Sequence, residues 1–379
     1  MSKPIRILHV LGTVNLGGAE SRIMDLYRQM DRERIQFDFA VHTEEKGHFD
    51  EEIEQLGGRI YRVPRFRLVN FVAYRKAWRR FFAKHHDFQC VQGHITSTAA
   101  IYLPIAKRVG IPLTVAHARN AGVDKGLKNI AVSFMRRKLW KKADRLFTCS
   151  HIAGLAAFGE KAVRQGKVEY IPNAIKAERF CFNQPVRERI RQELGLEDQY
   201  VLGHVGRFDH QKNHGYLIRI FFELQRLRPL SQLLLLGEGP GMEGAKQLTE
   251  ELGITKKVHF LGNRSNISDY YQAMDYFVFP SFFEGLPGTV VEAQAAGLKC
   301  LISDAIAKEV QITGLVKMKS ISVPPVEWAR AIVEEAEYTR DITTGSIKSG
   351  GFDVVEQAKR LAQFYESGYL PSAKDEKKQ

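Results

Sequence analysis

The stretch Tyr276-Phe-Val-Phe-Pro-Ser-Phe-Phe-Glu-Gly-Leu-Pro-Gly-Thr-Val-Val-Glu-Ala-Gln-Ala-Ala-Gly297 indicates how this chain folds. Its first four residues form an apolar run that is typical of a buried strand in a parallel sheet. Thr289 to Ala296 have the composition of a helix, and Gly285, Pro287 and Gly288 lie in the turn between the two elements. A buried strand that leads through such a turn into a helix predicts an α/β architecture.

The same turn carries two glutamates, Glu284 and Glu292, which are eight positions apart. Backbone N–H groups at a helix start attract anions because they are unpaired and the helix dipole is positive there. A carboxylate on each side of such an anion site could accept hydrogen bonds from hydroxyl groups. The pattern suits a nucleotide-sugar, which has a diphosphate between two polyhydroxylated ends; the alternative is an ordinary structural turn.

Length and composition favour a soluble protein with two domains. The chain has 379 residues, a hydrophobic fraction of 44% and a charged fraction of 26%. Cys90, Cys149, Cys181 and Cys300 show no paired spacing, which predicts reduced, buried thiols in a cytosolic protein and no zinc site. We expect neither a signal peptide nor a membrane-spanning helix, because no apolar run is long enough.

The net charge of +13 predicts an acidic partner, which could be nucleic acid, anionic lipid or an anionic small molecule. Much of this charge lies in residues 59–86, which contain no acidic residue, and in residues 125–142; both segments interleave cations with aromatic and apolar side chains. Such segments can lie on an anionic membrane surface or bind RNA. The alternative is that the aromatic rings face the core and the cations are simply solvated.

Strand-like and helix-like segments alternate twice along the chain, which predicts two parallel sheets. The first series begins at Ile5, and two of its predicted strands end in His94 and His117, where ligands bind in open α/β sheets. The second series begins at Tyr200. The polar segment before it, Lys176 to Arg191, is interpreted as the connection between the two domains. We therefore predict two domains, at residues 1–180 and 181–350. A C-terminal helix at 351–370 could pack back on the first domain, and a charged tail follows at 371–379.

Four motifs, taken together, resemble those of the retaining glycosyltransferases of family 4. They are Gly17-Gly-Ala-Glu20 after the first strand, Gly206-Arg207 with Lys212 five residues beyond the arginine, Gly237-Glu-Gly-Pro240, and the Glu284 and Glu292 unit. The resemblance covers nearly the whole chain. It implies the α/β fold named GT-B, in which two Rossmann-like domains with parallel sheets face a central cleft, the first on the acceptor side and the second binding the nucleotide-sugar.

The resemblance also implies roles for individual residues. Arg207 and Lys212 resemble the cations that hold the donor diphosphate. Glu292 resembles the carboxylate that binds the ribose, and Glu284 resembles the carboxylate that faces the transferred sugar. His117 matches a histidine near that sugar, so the implied catalytic residues are Glu284, His117, Arg207 and Lys212. The remaining donor-binding residues implied in this way are Gly17, Gly18, Asn263, Arg264, Gly285, Leu286, Gly288 and Thr289. Gln92 stands where the family often has a histidine, which weakens any role for His94.

No cofactor or metal is expected. Many glycosyltransferases hold a divalent metal with an Asp-x-Asp motif, and no two aspartates in this sequence are separated by a single residue. Arg207 and Lys212 would then neutralise the leaving diphosphate. The family suggests front-face attack with the leaving phosphate as the base, which retains the anomeric configuration and needs no protein nucleophile.

The function predicted on this basis is a retaining hexosyl- or N-acetylhexosaminyltransferase. It would use a nucleotide-sugar, with UDP as the first choice, and a lipid-linked or oligosaccharide acceptor in cell-surface polysaccharide synthesis. We expect a cytoplasmic protein, peripheral on the cytoplasmic face of the cell membrane through residues 59–86 and 125–142, and no nucleic-acid partner. The alternatives are a nucleotide-sugar epimerase of the same architecture and a non-catalytic nucleic-acid or membrane-binding protein.

Overall fold

The computed structural model describes residues 3–119, 136 and 139–370. The chain forms two compact units. Residues Met1–Ala174 and Asp353–Gln379 make up the first unit, and residues Ile175–Phe352 make up the second. The first unit therefore ends six residues before the boundary drawn at 180 from the sequence, and it includes the C-terminal helix.

A parallel sheet of seven strands forms the centre of the first unit. The strands are β1 (Ile5–Leu11), β2 (Ile35–Val41), β3 (Ile60–Arg62), β4 (Phe88–Gly93), β5 (Leu113–Ala118), β6 (Arg145–Thr148) and β7 (Val168–Tyr170). Their order in the sheet is β3-β2-β1-β4-β5-β6-β7. Because the chain reverses its direction of travel across the sheet after β3, the ends of β1 and β4 lie at a topological switch point, where ligands commonly bind.

Helices cover this sheet. They are Gly18–Gln29, Asp50–Gln55, Phe71–Lys84, Thr96–Arg108, His151–Phe158, Glu160–Arg164 and the C-terminal helix Val354–Ser367. The C-terminal helix begins at a cap, since Asp353 accepts hydrogen bonds from the amides of Val355 and Glu356 at 3.0 Å each. Its buried side, which includes Leu361 and Phe364, belongs to the same apolar core as strands β1 and β2.

The second unit is built on a parallel sheet of six strands in the order β10-β9-β8-β11-β12-β13. These strands are β8 (Tyr200–Val205), β9 (Ser231–Leu236), β10 (Val258–Gly262), β11 (Tyr276–Phe279), β12 (Cys300–Ser303) and β13 (Val316–Lys319). Its helices are Gln184–Leu194, His214–Leu227, Met242–Glu251, Ile267–Ala273, Gly288–Ala295, Pro325–Glu334 and Thr344–Ser349. The core between the sheet and these helices is aliphatic and aromatic, with Trp328 fully buried in it.

The interpretation of Lys176 to Arg191 as a connecting segment was wrong. Its second half, residues 184–191, lies entirely in the helix Gln184–Leu194, which belongs to the second unit. A proline in the first turn suits a helix because its fixed φ is helical and its missing N–H is not needed there. Asn183 caps the helix, and Arg187 and Arg191 both pair with Asp275, so a polar sequence is held by capping and ion pairs.

The basic segment at residues 59–86 contains the helix Phe71–Lys84, whose aromatic side chains are divided between two environments. Tyr74, Trp78 and Phe82 are buried, and Trp78 lies 4.7 Å from Tyr102 between ring centroids. The prediction that the aromatic rings face the core is therefore confirmed for these three. Most of the second basic segment, 125–142, lies outside the described residues.

In the described part of the chain, no helix is long and apolar enough to cross a membrane. The four cysteines are free thiols. Cys90, Cys149 and Cys300 are buried as predicted, whereas Cys181 is only half-buried.

Candidate active site

In the second unit, the loop after β8 places a lysine above the end of the sheet. Asp209 accepts a hydrogen bond from the amide of Lys212 at 3.3 Å and so closes the short turn His210–Lys212. Asn213, at φ 57°, then reverses the chain into the helix His214–Leu227. The Lys212 ammonium consequently lies over the ring of Phe279, 4.7 Å from its centroid.

Hydrogen bonds fasten this loop to the one that follows β11. The amide of Phe282 donates to the Gln211 carbonyl at 2.9 Å, and the Gln211 side chain donates to the Phe283 carbonyl at 3.0 Å. Asn213 adds a third bond, to the Pro280 carbonyl at 3.1 Å. Because β8 and β11 are neighbours in the sheet, these bonds bring two segments about 70 residues apart into one site.

Lys212 and Glu284 form an ion pair in this site. Both side chains are largely buried, so each charge depends on the other for compensation. Arg207, which the sequence placed beside Lys212, is exposed, and its side chain has no hydrogen bond or ion pair with any residue that the structure describes. One cation of the predicted pair is therefore engaged and the other is available to a ligand.

The helix Gly288–Ala295 begins directly after this ion pair. The amides of Val290 and Val291 donate to the Pro287 carbonyl, whereas those of Gly288 and Thr289 reach no acceptor among the described residues. Two free N–H groups at a helix start form an anion-binding site. Gly285 and Leu286 are buried, with the Leu286 side chain in the apolar interior, so Leu286 has only its backbone to offer a ligand.

Glu292 lies one turn along the same helix and is buried. It accepts a hydrogen bond from the hydroxyl of Tyr271 at 2.9 Å. That hydroxyl is also 3.1 Å from the Thr289 carbonyl, so Tyr271 holds the carboxylate against the first turn of the helix. Tyr271 was not predicted as a site residue, because a tyrosine in a helix carries no sequence signal of such a contact.

Asn263 and Arg264, at the end of β10, form the outer edge of this region and are exposed. Asn263 donates to the carboxylate of Glu238 at 2.9 Å, and the Arg264 side chain donates to the Leu261 carbonyl at 2.9 Å. Glu238 belongs to the Gly237-Glu-Gly-Pro240 motif but was not among the predicted site residues. The motif was the signal that could have identified it.

In the first unit, Gly17 and Gly18 lie at the start of the helix Gly18–Gln29. A Cβ atom on Gly17 would lie 2.3 Å from the Oε2 atom of Glu20, so the glycine lets this carboxylate fold over the helix start. A Cβ atom on Gly18 would meet nothing within 4 Å. The atoms that a Cβ on Gly17 would meet are the end of a flexible side chain, which can turn away, so crowding by itself requires a glycine at neither position.

Three histidines meet at the ends of β1, β4 and β5 in the first unit. Arg119 donates to Nδ1 of His94 at 3.1 Å, and Nε2 of His94 is 3.0 Å from Nδ1 of His9. Arg119 also donates to Asn173 at 3.0 Å. His94, whose role the sequence analysis had discounted, is the central member of this chain of hydrogen bonds.

His117 belongs to a second chain of hydrogen bonds in the same cluster. Its Nδ1 atom is 2.9 Å from Nε2 of Gln92, and the hydroxyl of Tyr365 donates to Oε1 of Gln92 at 2.7 Å. The Nε2 atom of His117 is buried, and no described residue is its hydrogen-bond partner. Buried polar atoms without a partner are uncommon in proteins and frequently mark a functional position.

Burial keeps all three imidazoles neutral. Burial, followed by the charge of Arg119, lowers the pKa of His9 to about 3 and holds the pKa values of His94 and His117 well below the ordinary value. Burial also lowers the pKa of Arg119, to about 10, so Arg119 stays a cation at neutral pH. The cluster is thus a set of neutral rings fixed by a charged donor.

Known sequences resemble both units. The domain described as "Glycosyl transferase 4-like domain" matches residues 17–174, and the one described as "Glycosyl transferases group 1" matches residues 186–328. The putative glycosyltransferase EpsF of Bacillus subtilis is 32% identical over 368 residues, which cover 95% of this chain and 96% of EpsF. This chain belongs to the family 4 glycosyltransferases.

Other relatives of this glycosyltransferase agree with that assignment. The capsular polysaccharide biosynthesis glycosyltransferase CapH of Staphylococcus aureus is 24% identical, over 97% of this chain and all of CapH. The Anabaena protein Alr3699/HepE, solved in complex with UDP and glucose, superposes with a TM-score of 0.79 and 19% identity, over 96% of this chain and all of that protein. The predicted GT-B class, with two parallel-sheet α/β domains, is confirmed.

The structure of this glycosyltransferase thus groups most of the predicted residues by unit. Lys212, Glu284, Gly288, Thr289 and Glu292 lie together in the second unit, with Asn263 and Arg264 at its edge, and Gly17, Gly18 and His117 belong to the first. Within residues 3–119, 136 and 139–370, no group of three or more His, Cys, Asp or Glu side chains is placed to hold a metal ion.

Proposed function

We propose that this glycosyltransferase transfers a sugar from a UDP-sugar, with retention of anomeric configuration, to a lipid-linked or oligosaccharide acceptor in cell-surface polysaccharide synthesis. The observation that carries the proposal is the arrangement at the start of the helix Gly288–Ala295. Two free amides and the exposed Arg207 offer positive charge, and the carboxylates of Glu284 and Glu292 lie on either side. A diphosphate between two polyhydroxylated groups matches this order of charges.

In this proposal, the diphosphate binds Arg207, Lys212 and the amides of Gly288 and Thr289. Glu292, held by Tyr271, accepts hydrogen bonds from the ribose, and Glu284 accepts them from the sugar. Cleavage of the anomeric C–O bond places negative charge on the departing diphosphate, and fixed cations stabilise that charge as it develops. Lys212 would then shift part of its interaction from Glu284 to the phosphate.

We further propose that the reaction proceeds by front-face attack and without a metal. The leaving phosphate oxygen accepts the proton of the acceptor hydroxyl as the new glycosidic bond forms on the face from which the diphosphate departs. Both the proton and the electron pair of the broken bond end on the diphosphate. This mechanism assigns Arg207 and Lys212 the role that a divalent cation has in other transferases.

A thermal-shift screen against UDP-, GDP- and ADP-sugars tests the donor, because a ligand of the native state raises the melting temperature. Transfer assays with Arg207→Ala, Lys212→Ala and Glu284→Ala then test the site. Lys246→Ala is the matched control, since Lys246 is a surface lysine of the same unit that pairs with Glu243. Full activity in all three site variants would refute the assignment, and acceptor-independent inversion of the donor sugar would favour an epimerase.

We also propose that the first unit docks on an anionic membrane surface through a basic apolar surface. We define this surface as the exposed apolar residues Leu68, Val69, Phe71 and Val72 with the exposed cations Arg65, Arg67, Lys76 and Arg79 around them. Val69 and Val72 are 94% and 78% exposed. None of these four cations forms an ion pair with a residue that the structure describes.

This combination suits lipid better than it suits RNA. Solvated cations alone would serve either partner, but RNA recognition stacks successive bases on several exposed aromatic rings. Tyr74, Trp78 and Phe82 are buried, and the proposed surface exposes a single ring, that of Phe71, among aliphatic side chains. Exposed aliphatic side chains surrounded by cations can enter the headgroup region while the cations contact anionic lipids. A lipid-linked acceptor would be reached from such a position. Residues 125–142, the second predicted membrane segment, remain a proposal from the sequence.

Sedimentation with vesicles tests this docking. We expect binding to vesicles that contain anionic phosphatidylglycerol and weak binding to neutral phosphatidylcholine. Val69→Asp with Val72→Asp should reduce binding at least tenfold, because charge on the inserted side chains is costly. Ile152→Asp, which changes an exposed apolar residue elsewhere in the same unit, is the control. Equal binding of all three proteins would refute the proposed surface.

A further inference from the structure

The direction of each hydrogen bond around His117 can be deduced from the chemistry of its neighbours. Tyr365 is buried, and burial raises the pKa of its hydroxyl well above the ordinary value, so it keeps its proton. Its acceptor among the described residues is Oε1 of Gln92, at 2.7 Å. The opposite orientation of the Gln92 amide would leave the tyrosine proton without an acceptor there. The amide oxygen therefore faces Tyr365, and the amide nitrogen faces His117.

An amide nitrogen can only donate a hydrogen bond. Nδ1 of His117, which is 2.9 Å from Nε2 of Gln92, must therefore be the acceptor and carry a lone pair. A neutral imidazole has one proton, which must then lie on Nε2. That atom is the one without a partner among the described residues.

The neighbouring chain of hydrogen bonds gives His94 and His9 the same Nε2–H tautomer. Arg119 can only donate, so Nδ1 of His94 accepts and the proton of His94 lies on Nε2. That proton is donated to Nδ1 of His9, which leaves the proton of His9 on its own Nε2 atom. Nε2 of His9 also lacks a partner in the described part of the chain. Both chains thus start at a group that donates its proton, Arg119 in one and the Tyr365 hydroxyl in the other, and end at an Nε2–H group.

We propose that Tyr365 and Gln92 are positioning residues that set His117 as a neutral Nε2–H donor toward an oxygen of a sugar substrate. The inference rests on the proposed function for the identity of the ligand, but not for the tautomer. Tyr365 lies on the C-terminal helix, 273 positions after Gln92, so the helix that completes the first unit also sets the chemistry of a site residue. A hydrogen bond to one ring nitrogen commonly fixes the tautomer of a functional histidine.

The tautomer can be measured directly with ¹⁵N-histidine-labelled protein, because the nitrogen chemical shifts distinguish Nδ1–H, Nε2–H and imidazolium forms. The signals of His117 are identified by their loss in His117→Asn. We expect the Nε2–H form from pH 6 to pH 8 without titration. This measurement needs neither a positioning variant nor a sugar donor, so it does not depend on whether the variants fold or the donor is known.

Two variants test the positioning residues. In Gln92→Glu, a carboxylate of nearly the same shape must accept from His117, so Nδ1 becomes protonated and the pH profile of kcat/KM gains an ionisation between about pH 6 and 8. In Tyr365→Phe, the Gln92 amide is free to turn, and we expect a mixture of tautomers and a fall in kcat/KM of about tenfold. Tyr102→Phe is the control, since Tyr102 is a buried tyrosine of the same unit whose hydroxyl has no partner among the described residues.

An Nδ1–H or imidazolium form of His117 in the wild-type protein at neutral pH would overturn the proposal. So would Gln92→Glu and Tyr365→Phe variants that keep the wild-type tautomer and kcat/KM, as Tyr102→Phe should. If the wild-type protein shows the Nε2–H form but transfers no sugar from any nucleotide donor, the proposed function fails and the positioning of His117 by Tyr365 and Gln92 stands.

Discussion

The ion pair between Lys212 and Glu284 should be detectable as a coupling energy within the second unit. The side chains are 16% and 10% exposed, so the pair lies between the surface and the interior. At an effective dielectric constant of about 20 and a separation of about 3 Å, the Coulomb attraction is roughly 5 kcal/mol. Desolvation of both groups offsets much of this attraction, but removal of one partner leaves the other charge buried and costs about 3 kcal/mol.

We therefore predict that Lys212→Met and Glu284→Gln each lower the free energy of unfolding of the second unit by about 3 kcal/mol. The double variant removes both charges together and should lose about as much as either single variant. The coupling energy from this double-mutant cycle is then about 3 kcal/mol, at the upper end of the usual range for residues in contact.

Urea unfolding measures this coupling if it reports on the second unit alone. Trp78, Trp140 and Trp328 are the three tryptophans of the chain, and Trp328 is the one within residues 175–352. In a background of Trp78→Phe and Trp140→Phe, the fluorescence of Trp328 follows the unfolding of its own unit. A double variant that loses about 6 kcal/mol, the sum of the single losses, would refute the ion pair.

Three further predictions concern the site and its dependence on metal and pH. Glu292→Ala should chiefly weaken donor binding, which calorimetry with UDP measures. Glu284→Ala should chiefly lower kcat in the transfer assay. The reverse result would mean that the two glutamates have exchanged roles. Transfer should continue in excess chelator because Arg207 and Lys212 supply the positive charge, and a complete loss that Mg²⁺ or Mn²⁺ restores would contradict this. Burial, followed by the charge of Lys212, lowers the pKa of His214 to about 4 from an ordinary 6.5, so protonation favours the unfolded state. As the pH falls from 6.5 to 4, His214 alone should lower the stability of the second unit by about 1.4 kcal/mol per pH unit. In urea unfolding followed by Trp328 fluorescence, the stability of His214→Phe should therefore depend less steeply on pH.

Most of the elements could be predicted because their signals are local. Strand β1 begins at Ile5, as predicted, since a run of apolar residues followed by a glycine turn can be recognised without its partners. Two elements were missed or misread for the opposite reason. Strand β13, Val316–Lys319, is short and contains two lysines, and it is a strand because β12 pairs with it. The helix Gln184–Leu194 was interpreted as a connection because its sequence is polar. Ion pairs of its arginines with Asp275, which is remote in the sequence, hold it in place.

The site divides in the same way. Local sequence was enough to nominate the Glu284 and Glu292 turn, and the resemblance to family 4 glycosyltransferases added Lys212. A parallel sheet then brings the ends of its strands to one edge whatever the details of packing. Spacing could not show that Lys212 and Glu284 would pair, since that depends on the bonds of Gln211 to the next loop. Nor could it connect Tyr365 with His117.

The stretch from Tyr276 to Gly297 carried in its own residues the strand, the turn and the helix start, because apolar periodicity and backbone N–H groups are properties of a short segment. Contacts between segments that are remote in the chain determine three other properties of the site. They are the pairing of Glu284 with Lys212, the hydrogen bond from Tyr271 to Glu292 and the position of the proton on His117. Hydrogen bonds and ion pairs require atoms to lie within about 3 Å of each other, and distances of that kind are set by the packing of the whole unit.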